Sequence, residues 1–293
     1  GPKVLDLIKG SEGTLGVVVE MTWKLHRFEP QNRRRFAFIF KDWNSIVEAA
    51  KEISQGEFGM PAVMRISDEE ETHFGLKLYG FDGNIFDKMM SARGFEPMKR
   101  CLFIGAAVGE NNYALNIEKQ VKKICKKFGA MYLTSFPVNS WEKGRYKDPY
   151  LREDLMDYGI IIDTLECSVR WDNLHTIHNL CRKYVKENAK SICMTHSSHF
   201  YKQGTNLYFI FLIKEHDKEK YLVFQRGLIE TIEKSGASLS HHHGIGKMIG
   251  FLLEKHLGKE QMNVLRAIKK HFDPNNIMNP GGQLGLDLKK IEE

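Results

Sequence analysis

The sequence predicts an α+β fold, an antiparallel sheet with helices packed on one side. Three observations carry this. Short apolar or alternating runs recur along the chain, stretches with helical spacing separate them, and the connecting loops are short. At 293 residues, 42% hydrophobic and 11% aromatic, there is enough chain for a large core, and a disordered polymer is excluded. No apolar run reaches the roughly 18–20 residues that a membrane-spanning helix needs.

The elements follow in order. Residues 10–27 (GSEGTLGVVVEMTWKLHR) read as a tight glycine-rich turn leading into a strand. Phe36–Phe40 is a strand. Trp43–Ser54 has helical spacing, with Ile46, Val47, Ala50 and Ile53 on one face, and Ala62–Ile66 is the next strand. The same strand, helix, strand pattern recurs at Cys101–Ala107, Ala114–Phe128 and Ala130–Leu133. It recurs again at Ile160–Ser168, Leu174–Asn188, Ser191–Ser197 and Asn206–Ile213. The run LYFIFLI in the last strand is apolar on both faces, which suits an interior strand. A helix at Glu219–Ser235 starts beside Asp217, a capping residue type, and helices follow at Gly246–Leu257 and Lys259–Phe272. Pro274 and Pro280 then end helical structure in a turn-rich tail, DPNNIMNPGG. The repeated units are ferredoxin-like in pattern.

The net charge of +6 is small and spread along the chain. It gives no basic stripe of the kind that binds nucleic acid, so none is expected as a partner. It suits a small anionic substrate or an acidic protein surface. The five cysteines (Cys101, Cys125, Cys167, Cys181, Cys193) form no CxxC pair. They read as buried free thiols in a reducing compartment.

Three places depart from a plain folded domain. The first is the turn Gly10, Ser11, Glu12, Gly13, Thr14, Leu15, Gly16, whose glycines let backbone N–H groups approach a ligand closely; such turns are more often only turns. The second is Ser240-His241-His242-His243-Gly244-Ile245-Gly246-Lys247. Histidines act near neutrality as acid, base or donor, and three in a row before a helix do not suit core packing. Adjacent side chains diverge, so the three together do not chelate one ion, and no metal is expected; an alternative all-nitrogen site would use His196, His199 and His242. The third is the loop Thr195–Gly204 between two strong strands, where Tyr201 stands near His199 and Lys202. His175 and His178, one helical turn apart among apolar neighbours, read as structural.

Together these segments resemble the FAD-linked oxidases of the vanillyl-alcohol oxidase type. GSEGTLGVV is similar to the last flavin-contacting turn of that family's FAD domain, and DPNNIMNPG to its C-terminal signature. Within the family, the alkyldihydroxyacetonephosphate synthases are the branch it resembles best. The motifs are GASLSHHHGIGK (236–247), YLRE (150–153), LECSVRWDNL (165–174), FYKQGTNLYFIF (200–211) and AVMRISDEEETHFG (62–75).

The resemblance implies FAD as cofactor, contacted by Gly10, Ser11, Glu12, Gly13, Thr14, Gly16, Val17, Val18 and Asn279. It implies Tyr201 as acid/base, with His241, His242 and His243 orienting substrate and assisting proton transfer. Arg65, Arg152 and Lys247 would bind anionic groups, the guanidinium fork matching carboxylate or phosphate oxygens. The implied reaction is flavin N5 covalent chemistry on an acyl-dihydroxyacetone phosphate or related anion. A rival within the resemblance is a D-2-hydroxy acid dehydrogenase of the lactate or glycolate kind, passing electrons from FAD to a partner. Those enzymes carry a metal through a GHxGDGNxH-like loop and an acidic residue before HG; here Tyr208 and His242 occupy two of those places. A third reading is a non-catalytic flavoprotein scaffold subunit.

The resemblance divides the chain at 1–30 (end of the FAD-binding domain), 31–240 (substrate and cap domain) and 241–293 (FAD-contacting helical segment). It also implies a further chain or segment supplying the rest of the FAD domain, and a redox partner or a second copy of the chain. The expected location is cytoplasmic, at a membrane only through partners.

Overall fold

The structure, a computed structural model, describes residue 1, residues 3–146 and residues 150–282. After a short helix, α1 (Val4–Ile8), the chain enters one seven-stranded sheet. Its strands are β1 (Arg34–Phe40), β2 (Val63–Ser67), β3 (Cys101–Ala107), β4 (Met131–Tyr132), β5 (Ile160–Arg170), β6 (Ser191–Ser197) and β7 (Gly204–Lys214). The order is β4-β1-β3-β2-β6-β7-β5, and the ladders are antiparallel.

Two split units build this order. In the first, α2 (Trp43–Gln55) carries the chain from β1 past β3 to β2, then α3 (Glu69–Leu78) and α4 (Ile85–Ala92) lead into β3, and α5 (Asn111–Lys127) connects to β4. In the second, α6 (Phe136–Gly144) and α7 (Tyr150–Met156) precede β5, α8 (Leu174–Asn188) carries the chain past β7 to β6, and α9 (Lys218–Lys234) follows β7. The units join where β2 pairs with β6, Ser67 opposite His196. Each is the ferredoxin-like arrangement expected, the second without a fourth strand.

The helices form for local reasons. Asp42, Asp68, Glu110 and Asp217 each accept a first-turn N–H, at the starts of α2, α3, α5 and α9. On α2, Ile46, Val47, Ala50 and Ile53 are buried at the predicted spacing. They meet Phe36, Phe38 and Phe40 of β1 and Phe103 of β3 in the main core, joined by Leu207, Phe209 and Phe211 of β7 and Cys181 of α8. Each large aliphatic buried there contributes roughly 1.5–3 kcal/mol. The LYFIFLI strand is interior, paired to β6 and β5 on its two sides. All five cysteines are free and buried, and burial pushes the Cys181 and Cys193 thiols up to about 12.

Three expectations are corrected. Helices lie on both faces of the β1–β3 half: Val138 of α6 packs on Ala37 and Ile104, and Met90 of α4 packs on Ile39. The strand expected within residues 10–27 is absent; Val17, Val19, Trp23 and Leu25 are exposed, and no strand among the described residues offers them a ladder. The helix expected at Gly246–Leu257 breaks into α10 (Gly246–Ile249), a 3₁₀ turn (Gly250–Leu252) and α11 (Leu253–Leu257), with Gly250 at the break, before α12 (Lys259–Phe272). Among the described residues, no helix is long and apolar enough to cross a membrane.

Candidate active site

On the β6-β7-β5 half, alternation sends Leu165, Cys167, Leu207 and Phe209 into the core and the residues between them to the opposite face. There His196 of β6 stands directly opposite Tyr208 of β7, and Tyr208 directly opposite Glu166 of β5. The His196 and Tyr208 rings stack at 4.6 Å between centroids. One straight row of an imidazole, a phenol and a carboxylate thus crosses three strands.

Arg65 of β2 and Glu71 of α3 extend the row. Arg65 Nη2 donates to Glu71 Oε1 at 2.6 Å, and His196 Nδ1 lies 3.0 Å from the same oxygen. Arg65 Nη2 is also 3.1 Å from His196 Nδ1, so that nitrogen accepts from Arg65 in one tautomer and donates to Glu71 in the other. Burial alone would raise the Glu71 carboxyl, but Arg65 and then His196 outweigh it and hold it well below its ordinary range.

Glu166 fixes the histidine triplet. Its Oε1 accepts from Ser240 Oγ at 2.6 Å, His241 N at 2.7 Å, His242 N at 3.0 Å and His243 N at 3.0 Å. Gly244 N donates to Ser240 Oγ at 3.0 Å; Ile245 N and Gly246 N donate to the Glu12 carboxylate at 2.6 and 2.8 Å. Three side chains therefore satisfy every backbone N–H from His241 to Gly246. Burial pushes the Glu166 carboxyl up, and these hydrogen bonds, Ser240 foremost, bring it below its usual value. Gly244 is required at its place: φ is +86°, and a Cβ would stand 2.4 Å from Glu12 Oε1.

The imidazoles gather around Tyr201, in the turn between β6 and β7. Tyr201 Oη is 2.8 Å from His241 Nε2. His199 lies 4.8 Å from His241 and 4.5 Å from His242, ring to ring. Asn206, wholly buried, shapes the His199 side by accepting the N–H of Ser198 and His199. Burial lowers the pKa of His199, His241 and His242, with neighbouring imidazoles adding to it, so the neutral form dominates near neutrality. Beside the Tyr201–His241 pair opens a cleft of 630 Å³, lined by Ser168, Arg170, Asn173, Thr205 and Ser238 among others.

The first turn and the tail arrive at the same place. Lys269 of α12, buried, donates to Thr14 O, Met278 O and Asp273 Oδ2. Lys269, with the N–H groups of Met278 and Ile277, holds the Asp273 carboxyl at about 2. Thr14 Oγ1 donates to Ser11 O, and Asn279 Nδ2 to Glu12 O at 2.8 Å.

Several expected site residues are placed differently. The Glu12 carboxylate caps the histidine loop. Ser11 and Thr14 are buried within the turn, so it is the backbone at Gly10, Gly13 and Gly16, with nothing within 4 Å of an added Cβ, that faces outward. Val17 and Val18 are exposed, and Asn279 is tied to the turn. Lys247 is exposed at the start of α10. Arg152, exposed on α7, acts electrostatically on Tyr221 of α9, whose hydroxyl bonds Asp163 on the helix-covered side of β5. It is not brought to the imidazoles. His196 does not join the alternative all-nitrogen group; it is turned to Arg65 and Glu71, and His241 takes its place beside His199 and His242. Of the structural pair, His178 is buried and stacked on Trp43. Sequence reasoning missed Glu166, Tyr208 and Asn206 as site residues. Their signal was phase: each occupies the polar-facing position of a strand whose alternate residues are core.

Residues 29–282 match the family described as FAD linked oxidases, C-terminal domain. The chain belongs to this family. FAD is its cofactor, and its members are FAD-dependent enzymes. Alkyldihydroxyacetonephosphate synthase from Dictyostelium discoideum is 31% identical over 291 residues, 94% of this chain and 47% of that protein. A solved alkyldihydroxyacetonephosphate synthase structure superposes with a TM-score of 0.76 at 28% identity, covering 96% of this chain and 49% of the other. Farther off, D-lactate dehydrogenase from Archaeoglobus fulgidus is 24% identical, over 96% of this chain and 58% of that protein. The chain thus spans about half the length of the curated relatives it matches. In this FAD linked oxidase C-terminal domain, Glu12 and Lys269 hold the chain's glycine turn against its histidine loop and tail.

Proposed function

We propose that this chain is the substrate-bearing half of an FAD-dependent enzyme of the alkyldihydroxyacetonephosphate synthase kind. Its substrate is an acyl-dihydroxyacetone phosphate or a closely related anion, and the overall change exchanges the acyl carboxylate at C1 for a fatty alcohol oxygen without net redox. The observation that carries this reading is the Tyr201 Oη to His241 Nε2 contact of 2.8 Å, inside an imidazole cluster whose backbone Glu166 fixes. The reading also rests on the likeness to the synthases.

The residues fit one edge of the cofactor. Gly10, Gly13 and Gly16, where an added Cβ would meet nothing within 4 Å, flank Glu12 and Thr14, and Glu12 also binds the N–H groups of Ile245 and Gly246. Bound there, FAD would supply an electron-accepting N5. The chain's own residues do the rest. A neutral His241 takes a proton from the substrate C1 through Tyr201 Oη and returns one to C1 once the acyl carboxylate has left and the fatty alcohol oxygen, its own proton lost to solvent, has replaced it. Arg65, with Nη2 on Glu71 and its remaining N–H groups available, holds an anionic oxygen, and Lys247 adds charge at the rim. His242 and His243 orient the substrate. Partial exclusion of water in the cleft beside Tyr201 strengthens each of these contacts.

In this reading residues 1–30 complete a flavin-binding domain whose remainder lies in another segment or chain, residues 31–240 bear substrate, and residues 241–293 return to the cofactor. The reading is tested by mixing the complete flavoprotein anaerobically with an acyl-dihydroxyacetone phosphate, D-lactate and glycolate. Fatty acid release without reduction of an added dye supports it. Flavin bleaching by lactate or glycolate, with electrons passing to the dye, replaces it with a 2-hydroxy acid dehydrogenase. Inertness to all three favours a scaffold subunit.

A further inference from the structure

His199, His241 and His242 present ring nitrogens that all lie within 4.8 Å of one another, and Nδ1 of His241 is 3.0 Å from Nδ1 of His242. In a tetrahedral zinc site with metal–nitrogen bonds of about 2.0–2.1 Å, neighbouring ligand nitrogens stand roughly 3.3–3.4 Å apart. One pair is therefore already slightly inside that spacing. The outer bound of 4.8 Å exceeds it by about 1.4 Å, and His199 lies in a turn, where side-chain rotation brings it onto an ion.

Each ligand is also prepared from behind. Tyr201 Oη sits at His241 Nε2, so an Nε2–H donated to the phenol oxygen leaves the Nδ1 lone pair facing inward. Ser198 Oγ lies 3.2 Å from His199 Nδ1, which leaves Nε2 of that ring as the ligand. The Glu166 carboxylate lies 3.5 Å from His242 Nδ1 and brings negative charge next to the trio. The backbones of all three are set without any ion, since Glu166 accepts the N–H of His241 and His242 and Asn206 accepts that of His199. The His242 side chain is 34% exposed, which provides the entry path.

We propose that His199 Nε2, His241 Nδ1 and His242 Nδ1 form a three-imidazole site for a divalent transition-metal ion of the zinc class, with a fourth position open to water or an anionic oxygen. An all-nitrogen set selects zinc, cobalt, nickel or copper over magnesium and calcium. Binding does not depend on the flavin reading. If that reading holds, it has a consequence: a metal on Nδ1 keeps the Nε2 proton of His241 in place, so an occupied site stops His241 from accepting the Tyr201 proton, and the ion acts as a brake on turnover.

The test uses the complete protein, stripped with a chelator and titrated with Co²⁺ and then Zn²⁺. The expected result is one saturable Co²⁺ per chain with the visible absorption of four-coordinate cobalt, displaced by Zn²⁺, and a rise in unfolding temperature with Zn²⁺. His199→Ala and His242→Ala lose both signals while unfolding at the temperature of the stripped parent, and His175→Ala keeps both. Absence of saturable cobalt binding, or cobalt spectra unchanged in His199→Ala and His242→Ala, overturns the site. Because no substrate is present, this outcome is separate from the fate of the flavin reading.

Discussion

The carboxylate of Glu166 grips the backbone N–H of His241 with both oxygens, at 2.7 and 2.9 Å, although the two residues are 75 positions apart. A buried strand residue therefore sets where the histidine loop points, and the loop's function depends on β5 as much as on its own sequence. Glu166→Ala leaves the N–H groups of His241, His242 and His243 without this acceptor. Hydrogen bonds to a charged group are worth about 1.5–3 kcal/mol, so a loss of at least that size is expected in denaturant unfolding. A change below about 0.5 kcal/mol, ordinary for surface sites, would contradict the assignment.

Acid should weaken the same contacts. Glu71 and Glu166 are held below the ordinary glutamate value of 4.5 in the folded state. Below that pH the unfolded chain takes up protons that these folded carboxylates refuse, so the unfolded state binds more protons and stability rises with pH. Their contribution is complete above 4.5 and is lost as pH falls through the folded values. Unfolding temperature measured across this range should fall more steeply for the parent than for Glu71→Gln. Parallel curves would count against the Arg65–Glu71–His196 cluster.

Lys269 clamps the first turn to the tail, so Lys269→Met leaves Asp273 buried without its cation. Removing one partner of such a pair leaves the other charge uncompensated and destabilises the fold. The expected result is lower stability together with faster loss of FAD from the complete protein on gel filtration. Retention equal to the parent would show that the turn and tail do not shape the cofactor edge.

Gly244 leaves no room for a Cβ, and its φ of +86° disfavours one. Gly244→Ala is expected to cost about 1–3 kcal/mol and to displace Glu12 from Ile245 and Gly246. Amide exchange at those two residues reads the displacement directly; unchanged protection would sink the claim.

Much of the fold was legible because it follows from period. FAFIF and LYFIFLI announced themselves as strands, and Ile46, Val47, Ala50 and Ile53 fixed the face of α2. Helix α3 was not seen: its opening, DEEETHFG, is polar, although the Asp68 cap accepting Glu71 N was written in it. The extended reading of residues 17–27 failed because alternation specifies only which face is apolar, and a strand also needs a neighbour. At the site, the histidine triplet and Tyr201 stood out as unusual in a loop. Glu166, Asn206 and Tyr208 did not, because a polar residue at every second place is what any half-buried strand shows. Only the pairing of β5, β6 and β7 brings Glu166 and His196 to either side of Tyr208.

The most direct test of the central claim is the turnover of the complete flavoprotein with Tyr201→Phe, read as fatty acid released from an acyl-dihydroxyacetone phosphate. A positioned acid/base contributes about 10²–10⁴-fold, so a fall of that size in kcat with FAD still bound is expected. Turnover equal to the parent, with the substrate consumed as before, would contradict a proton path through Tyr201 and His241.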